Sequence, residues 1–223
     1  AATSQRAKTL AWLGEPIAIR DPVAATFLRQ SGSNLLIVSQ NDEAVRGMVT
    51  VALISLAAQL PLTHSPIAAA PITILDFSAA DAPHAAFFTR LAEQLPQVLQ
   101  VVRRRELPAL INQLAGEAQR RVDGDEIAAP PHYLVIYGLH RARDLRQEES
   151  FGFTAFSDQP VAPNPAQQFT TILRDGPEVG MHTLVWCDTV TNLNRTLDRR
   201  ALREFAMRVA FQMSGEDSAT LID

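Results

Sequence analysis

The feature that most constrains this chain is the alternation of short, continuously apolar runs with longer segments of helical periodicity. Continuous apolar runs indicate strands buried on both faces, and strands that alternate with helices form parallel sheets. The pattern therefore predicts an α/β fold with a mostly parallel central sheet and helices on both faces. The predicted strands are residues 34–38, 72–77, 98–102, 132–137, 181–187 and 207–213.

Helical periodicity and capping residues mark the segments between these strands. We expect helices over residues 44–60, 84–95, 106–122, 165–174 and 198–205, and one after 214–217. Asn164 and Pro165 suit an N-cap and a first helical position, Thr196 is the expected cap of the 198–205 helix, and "SGED" has the pattern of a capping box. The long polar stretch 143–164 has no period and is expected to form a loop.

The first 33 residues are interpreted as a lead-in that packs on the same domain. The apolar "PIAIR" (16–20) is expected to form a strand there. The division is therefore residues 1–33 as lead-in and 34–223 as the main part of one domain. The chain starts without Met and ends on "SATLID", which favours a fragment of a larger protein.

Composition excludes several classes of protein. Apolar residues make up 47% and charged residues 20%, so the chain is not of the disordered type. The formal charge of −4 argues against a uniformly basic nucleic-acid binder. One cysteine, Cys187, forbids an intrachain disulfide and is typical of a cytoplasmic protein. The longest apolar stretch falls short of the ~20 residues that cross a bilayer, so no membrane contact by this segment is expected.

Residues 34–48, "NLLIVSQNDEAVRGM", have the outline of a phosphate-binding loop, in which a strand, a tight turn and a helix start follow one another. The turn lacks the glycines and the lysine that such a loop uses. From these residues alone the segment is a nucleotide site, the remains of one, or an ordinary strand-to-helix turn.

The C-terminal segment 180–223 resembles the closing segment of the FtsK/SpoIIIE family of RecA-like motor ATPases. That family has a Gly-x-His before a strand, a polar sensor segment after it, a later strand with an arginine and a helix that ends near Leu-Asp. Residues 13–22 resemble the stretch before the family's phosphate loop, so the resemblance covers about 13–223. The matching residues in the C-terminal segment are Gly180, His182, Asp188, Thr189, Arg208, Ser218 and 221–223.

The resemblance implies a RecA-like P-loop NTPase fold and aligns the strand 34–38 with the one before the Walker A motif. The residues at the motif, as a vestigial nucleotide site, are Ser39, Gln40, Asn41, Asp42, Glu43, Ala44, Val45 and Arg46. Ser39 and Ala44 replace the two glycines, Val45 replaces the lysine, and Arg46 replaces the magnesium-binding hydroxyl. Such a loop cannot easily aim its N–H groups at phosphate, and it lacks the main counter-charge.

The Walker B and sensor positions have also changed. The strand 132–137 runs into Gly138 and Leu139 instead of Asp-Glu, and the sensor position holds Asp188. We therefore expect the fold without hydrolysis, so the chain leans away from being an enzyme. No cofactor is expected, and ATP with magnesium follows only from the family resemblance. The histidines show no ligand spacing, so no metal is expected either.

Arginines outside this motif are candidates for anion or partner contacts. Arg141 and Arg143 follow the predicted strand 132–137, where α/β proteins bind ligands. Arg195 and Arg199 lie in the region that reaches a neighbouring subunit in ring-forming relatives, as the resemblance implies. For both pairs, a solvated surface is the favoured interpretation.

The resemblance favours a catalytically degenerate FtsK/SpoIIIE-like domain with a structural, regulatory or partner-recognition role in a larger motor protein, such as those of type VII secretion. Its expected partners are neighbouring ATPase-type domains or a partner protein or peptide, with a ring oligomer among the options. The first alternative is an ATP-dependent DNA translocase in which Arg46 replaces the lysine and Asp76 and Asp188 hold magnesium; the net charge does not support DNA contact. The second is a module that senses nucleotide without hydrolysing it.

Overall fold

The computed structural model describes residues 8–17, 19–60, 70–126, 128–146 and 164–222. Its centre is a six-stranded sheet in which every pairing is parallel, in the order β5-β4-β6-β7-β3-β8. The predicted mostly parallel sheet is therefore confirmed. The strands of this sheet are β3 (Leu35–Val38), β4 (Ile72–Asp76), β5 (Leu99–Val102), β6 (His132–Tyr137), β7 (Met181–Cys187) and β8 (Met207–Ala210).

Helices cover both faces of the sheet, as predicted. Alternate strand residues point to opposite faces, so the sheet separates two apolar cores. One core joins the sheet to α3, α4 and the three C-terminal helices, and the other joins it to α1 and α2. The helices are α1 (Asp42–Ala57), α2 (Phe87–Gln94), α3 (Leu107–Asp123), α4 (Pro165–Asp175), α5 (Val190–Leu193), α6 (Arg199–Arg203) and α7 (Gly215–Ile222).

The N-terminal segment forms its own small antiparallel sheet. It consists of β1 (Thr9–Gly14) and β2 (Val23–Phe27), which pair antiparallel. The strand predicted at 16–20 is wrong, because its described residues lie in the connection, where Ile17 and Ile19 are exposed. Alternation places Ala11 and Leu13 in the core that α1 shares, and Ser55 on α1 accepts a hydrogen bond from the Trp12 amide at 2.9 Å.

Several helix starts differ from the sequence prediction, and the largest shift is that of α2, which begins at Phe87 rather than at residue 84. Helix α1 begins at Asp42 rather than at residue 44, because Asn41 caps it. Helix α6 is capped by Asp198, whose carboxylate accepts from the amides of Arg200 and Ala201, so the prediction of Thr196 as its cap is wrong. The Asn164 cap is confirmed, with its side chain accepting from the Ala166 amide at 2.9 Å. Residues 147–163 of the predicted loop lie outside the described residues.

The parallel arrangement brings the carboxyl ends of the strands to one edge of the sheet. Strand β7 lies between β6 and β3, and Val38 pairs with Cys187 while Tyr137 pairs with Trp186. The residues that follow β3, β6 and β7 therefore lie close together at this edge. Within the described ranges, the helices are too short or too polar to cross a bilayer.

Candidate functional site at the carboxyl edge of the sheet

The connection from β3 to α1 is short and is fixed to β7. Only residues 39–41 separate the two elements. Ser39 is buried, its amide donates to the Cys187 carbonyl at 3.1 Å, and its own carbonyl accepts from the Trp186 indole at 2.9 Å. The Ser39 hydroxyl also accepts from the Asn41 amide at 3.0 Å. These bonds hold the turn against the sheet and use polar groups that a ligand would otherwise meet.

The start of α1 supplies its own cap. The Asn41 side chain accepts from the Ala44 amide at 3.0 Å, which satisfies one of the donors left free at a helix N-terminus. Asp42 and Glu43 occupy the first turn, where negative charge is favoured by the helix dipole. Val45, at the predicted lysine position, is fully buried in the core. Gln40 is exposed.

Asp42 is the centre of a small polar cluster at this edge. Its carboxylate accepts a hydrogen bond from the Tyr137 hydroxyl, lies 2.7 Å from His84 Nε2 and lies 3.5 Å from Arg46 Nη1. Arg46 also lies over the Phe87 ring, 5.9 Å from its centre. Burial and the Asp42 carboxylate both raise the pKa of Tyr137, so this hydroxyl remains a donor.

The chemistry of this arrangement differs from that of a phosphate-binding loop. A phosphate loop surrounds its ligand with backbone N–H groups and a lysine. Here the helix has already begun at Asp42, and a carboxylate held by Tyr137, His84 and Arg46 lies at its first turn. The cluster therefore presents a negative group that has its own donors.

The residues after β6 form tight turns rather than a carboxylate pair. Gly138 has a φ of 94°, a left-handed conformation that favours glycine, and a Cβ there would lie 3.3 Å from Phe77 Cβ. Leu139 is fully buried in the apolar core. Arg141 donates to the Phe77 carbonyl at 3.1 Å, while Arg143 is exposed.

Asp188, at the predicted sensor position, lies beside His140 and Cys187. The Asp188 carboxylate accepts from the Thr189 amide at 2.7 Å and from the Asn192 side chain at 2.9 and 3.0 Å. Although burial acts in the opposite direction, the bond from Asn192, followed by the charge of His140, lowers the pKa of Asp188. Burial lowers the pKa of His140 and raises the pKa of Cys187 to about 12.

Sequence reasoning missed this grouping, because it considered Cys187 only for disulfide formation and found no ligand spacing among the histidines. The available signal was positional: His140 follows β6, and Cys187 ends β7. Once these strands are neighbours, the two residues meet at the same edge.

The structure places the C-terminal arginines on the segment after β7. Arg195 donates to Asn192 Oδ1 at 3.1 Å and is thereby linked to Asp188. Arg199 lies on α6 and lines a shallow cavity of about 750 Å³ together with Arg203 and Arg208. Arg208 itself donates to the carbonyls of Phe205, Leu202 and Leu221.

The parallel sheet, the two helical layers and the strand–turn–helix at its centre define a three-layer α/β domain. No family model matches the sequence, and a sequence comparison with curated proteins finds no match. Solved structures do match. The cytoplasmic domain of EssC gives a TM-score of 0.60 at 13% identity, and the conjugation coupling protein TcpA of pCW3, solved with ATPγS, gives 0.61 at 12% identity. The type VII secretion ATPase EccC of Thermomonospora curvata gives 0.57 at 13% identity.

These likenesses cover nearly all of this chain but only part of the other chains. The matches include 96% of this chain and 39% of EssC, 98% and 58% for TcpA, and 94% and 24% for EccC. At such low identity they show that the chain has the fold of these ATPase domains. The fold implied by the family resemblance is thereby confirmed.

Proposed function

We propose that this chain is a degenerate FtsK/SpoIIIE-type domain that does not hydrolyse ATP and that serves a structural or partner-docking role in a larger motor-type protein. The observation that carries this proposal is the Asp42 carboxylate at the first turn of α1. It is bonded to Tyr137 and His84 within the chain's own structure. A bound phosphate would have to approach this negative group and displace its donors.

The substitutions at the other motif positions support the same function. Val45 is buried, so no ammonium group reaches this edge from the lysine position. Leu139 is also buried, and Gly138 has no side chain, so neither supplies a carboxylate for magnesium. Bringing like charges to ~4 Å at an effective dielectric near 20 costs about 4 kcal/mol, which a phosphate facing Asp42 would have to overcome.

The docking part of the proposal is supported by exposed apolar side chains on β1 and α1, which we take together as one docking surface. Trp12 is 43% exposed, Val51 45% and Ile54 50%. These residues lie on elements that pack side by side, since the Trp12 amide donates to Ser55 on α1. One solved structure with this fold contains two ATPase units, "ATPases 2 and 3" of EssC from Geobacillus thermodenitrificans. We propose a neighbouring ATPase-type domain as the partner of this surface.

Calorimetry with ATP and with ADP, each with magnesium, tests the loss of nucleotide binding. We expect no heat of binding at millimolar nucleotide. A dissociation constant tighter than about 100 μM, or ~5.5 kcal/mol, would contradict the proposal. In that case Arg46→Ala becomes the next variant, because Arg46 is the basic side chain closest in sequence to the lysine position.

The docking role needs a separate test. Where the parent polypeptide carries an ATPase-type domain beside this chain, that domain is expressed alone and titrated into this chain. We expect the double variant Trp12→Ala, Ile54→Ala to weaken binding at least about tenfold. Val122→Ala is the matched control, because Val122 is 45% exposed on α3, away from this surface. Equal binding by all three proteins would remove this surface from the proposal.

A further inference from the structure

Three side chains of different chemistry meet at the ends of β6 and β7: the His140 imidazole, the Cys187 thiol and the Asp188 carboxylate. We call them the His–Cys–Asp cluster. One ligand atom from each of these residues lies within 4.8 Å of the other two. Their meeting follows from topology, because β6 and β7 are neighbouring parallel strands that end at the same edge.

The separations within the cluster suit a tetrahedral cation. His140 Nδ1 lies 3.6 Å from Asp188 Oδ1, and Cys187 Sγ lies 3.7 Å from the same oxygen. With zinc bonds of about 2.0–2.1 Å to nitrogen, about 2.0–2.2 Å to oxygen and about 2.3 Å to sulfur, tetrahedral angles place ligand atoms roughly 3.3–3.7 Å apart. The nitrogen–oxygen and sulfur–oxygen separations are therefore already close to those of a tetrahedral zinc site.

The surroundings of the cluster orient the carboxylate ligand. Asn192 donates to both Asp188 oxygens, and the Thr189 amide donates to one of them, so the carboxylate is fixed in direction. The Asp188 amide donates to His140 Nδ1 at 3.3 Å, a long bond that uses the lone pair of this nitrogen and that a cation would displace. Such bonds to the ligands commonly change metal affinity 10- to 100-fold when removed.

The cluster is partly exposed to solvent, which gives a cation a route to it. Cys187 is fully buried, whereas the side chains of His140 and Asp188 are 10% and 29% exposed. A cation that reaches the outer side would find nitrogen and oxygen first and sulfur behind them. Nitrogen, sulfur and one carboxylate oxygen form a ligand set that zinc uses and that magnesium and calcium do not.

We propose that the His–Cys–Asp cluster is a binding site for a divalent cation of the zinc class, with three protein ligands and water in the fourth position. On binding, the weak bond from the Asp188 amide to His140 is replaced by a nitrogen–metal bond. The Cys187 thiol loses its proton to water and binds as thiolate. This site uses none of residues 39–46, although it includes Asp188, the predicted sensor position.

Cobalt(II) is the probe, because its absorption reports both geometry and sulfur ligation. The untagged chain is titrated with Co²⁺ after reduction, and zinc is then added. We expect a thiolate-to-cobalt charge-transfer band and intense visible bands of tetrahedral Co²⁺, both abolished by zinc. Absence of a thiolate band at millimolar Co²⁺ would overturn the proposal.

The variants identify the ligands. Cys187→Ser should remove the charge-transfer band, and His140→Gln and Asp188→Asn should each weaken Co²⁺ binding at least about tenfold. His84→Gln is the control, because His84 also lies beside a carboxylate but belongs to the Asp42 cluster. If Cys187→Ser fails to fold by circular dichroism, the other two variants decide, and wild-type affinity in both of them contradicts the site.

Discussion

The Tyr137 hydroxyl donates a hydrogen bond to the Asp42 carboxylate, although the two residues are 95 positions apart. Tyr137 is the last residue of β6, and Asp42 is the first residue of α1. The bond therefore links the start of α1, which follows β3, to β6, which lies two positions from β3 in the sheet order. It also gives the carboxylate a donor at the predicted position of the phosphate loop.

Tyr137→Phe should lower the free energy of unfolding by about 1 to 2 kcal/mol, because a hydrogen bond to a charged acceptor is lost while the ring keeps its packing. Urea denaturation measures the change. In the Asp42→Asn background the same substitution should cost less, since its charged acceptor is already gone. An equal loss in both backgrounds would show that the bond contributes nothing specific.

Asn41→Ala should destabilise the chain by about 1 kcal/mol, because the Ala44 amide loses its cap. Asn41→Ser is the matched control, since serine also accepts at this position, and it should stay within a few tenths of a kcal/mol of the wild type. The two denaturation midpoints are compared at neutral pH. The prediction fails if the two variants unfold at the same urea concentration.

His132 should make stability depend on pH in the acid range. Burial, followed by the charge of Arg121, lowers its pKa to about 4, from an ordinary value of 6.5. Below pH 6.5 the unfolded chain binds a proton at this ring while the folded chain stays neutral, so stability falls as the pH drops from 6.5 toward 4. The slope from this one group reaches about 1.4 kcal/mol per pH unit.

His132→Leu isolates this effect, because neither ring nitrogen has a hydrogen-bond partner among the described residues. Its unfolding free energy, measured by urea denaturation from pH 7 to pH 4.5, should fall less steeply than that of the wild type. The carboxylates and His182, whose pKa burial lowers to about 4, contribute equally to both proteins. Parallel curves would show that His132 takes up its proton at the same pH in both states.

Replacing Gly176 or Gly116 by alanine should change the stability of the chain in opposite directions. Gly176→Ala should cost at least about 2 kcal/mol, because a Cβ would lie 2.4 Å from the Ile172 carbonyl oxygen and 2.8 Å from that of Met181. Gly116→Ala should stabilise by about 0.5 to 1 kcal/mol, since this exposed position in α3 has open space around it. Thermal or urea unfolding of both variants checks the pair, and a loss at Gly116 would contradict the second half.

Much of the fold could be predicted from short-range patterns. Mostly apolar runs marked the six strands of the central sheet, and the four inner strands are buried on both faces, where apolar residues are needed at successive positions. Asn164 and Pro165 marked the start of α4 for a local reason as well, since an N-cap bonds to an amide two residues later. The strand predicted at 16–20 failed because apolar β-type residues also occur in connections, where no partner strand covers them.

The candidate site was likewise predictable from the sequence only in part. The sequence by itself determined which residues stand at 45, 138 and 139, and only the family resemblance interprets Val45, Gly138 and Leu139 as motif positions. Only the tertiary structure decided that Asp42 meets Tyr137 and His84, and that His140 joins Cys187 and Asp188. These contacts depend on which strands are neighbours, and strand order is set by the packing of the whole sheet between its helices rather than by any local pattern.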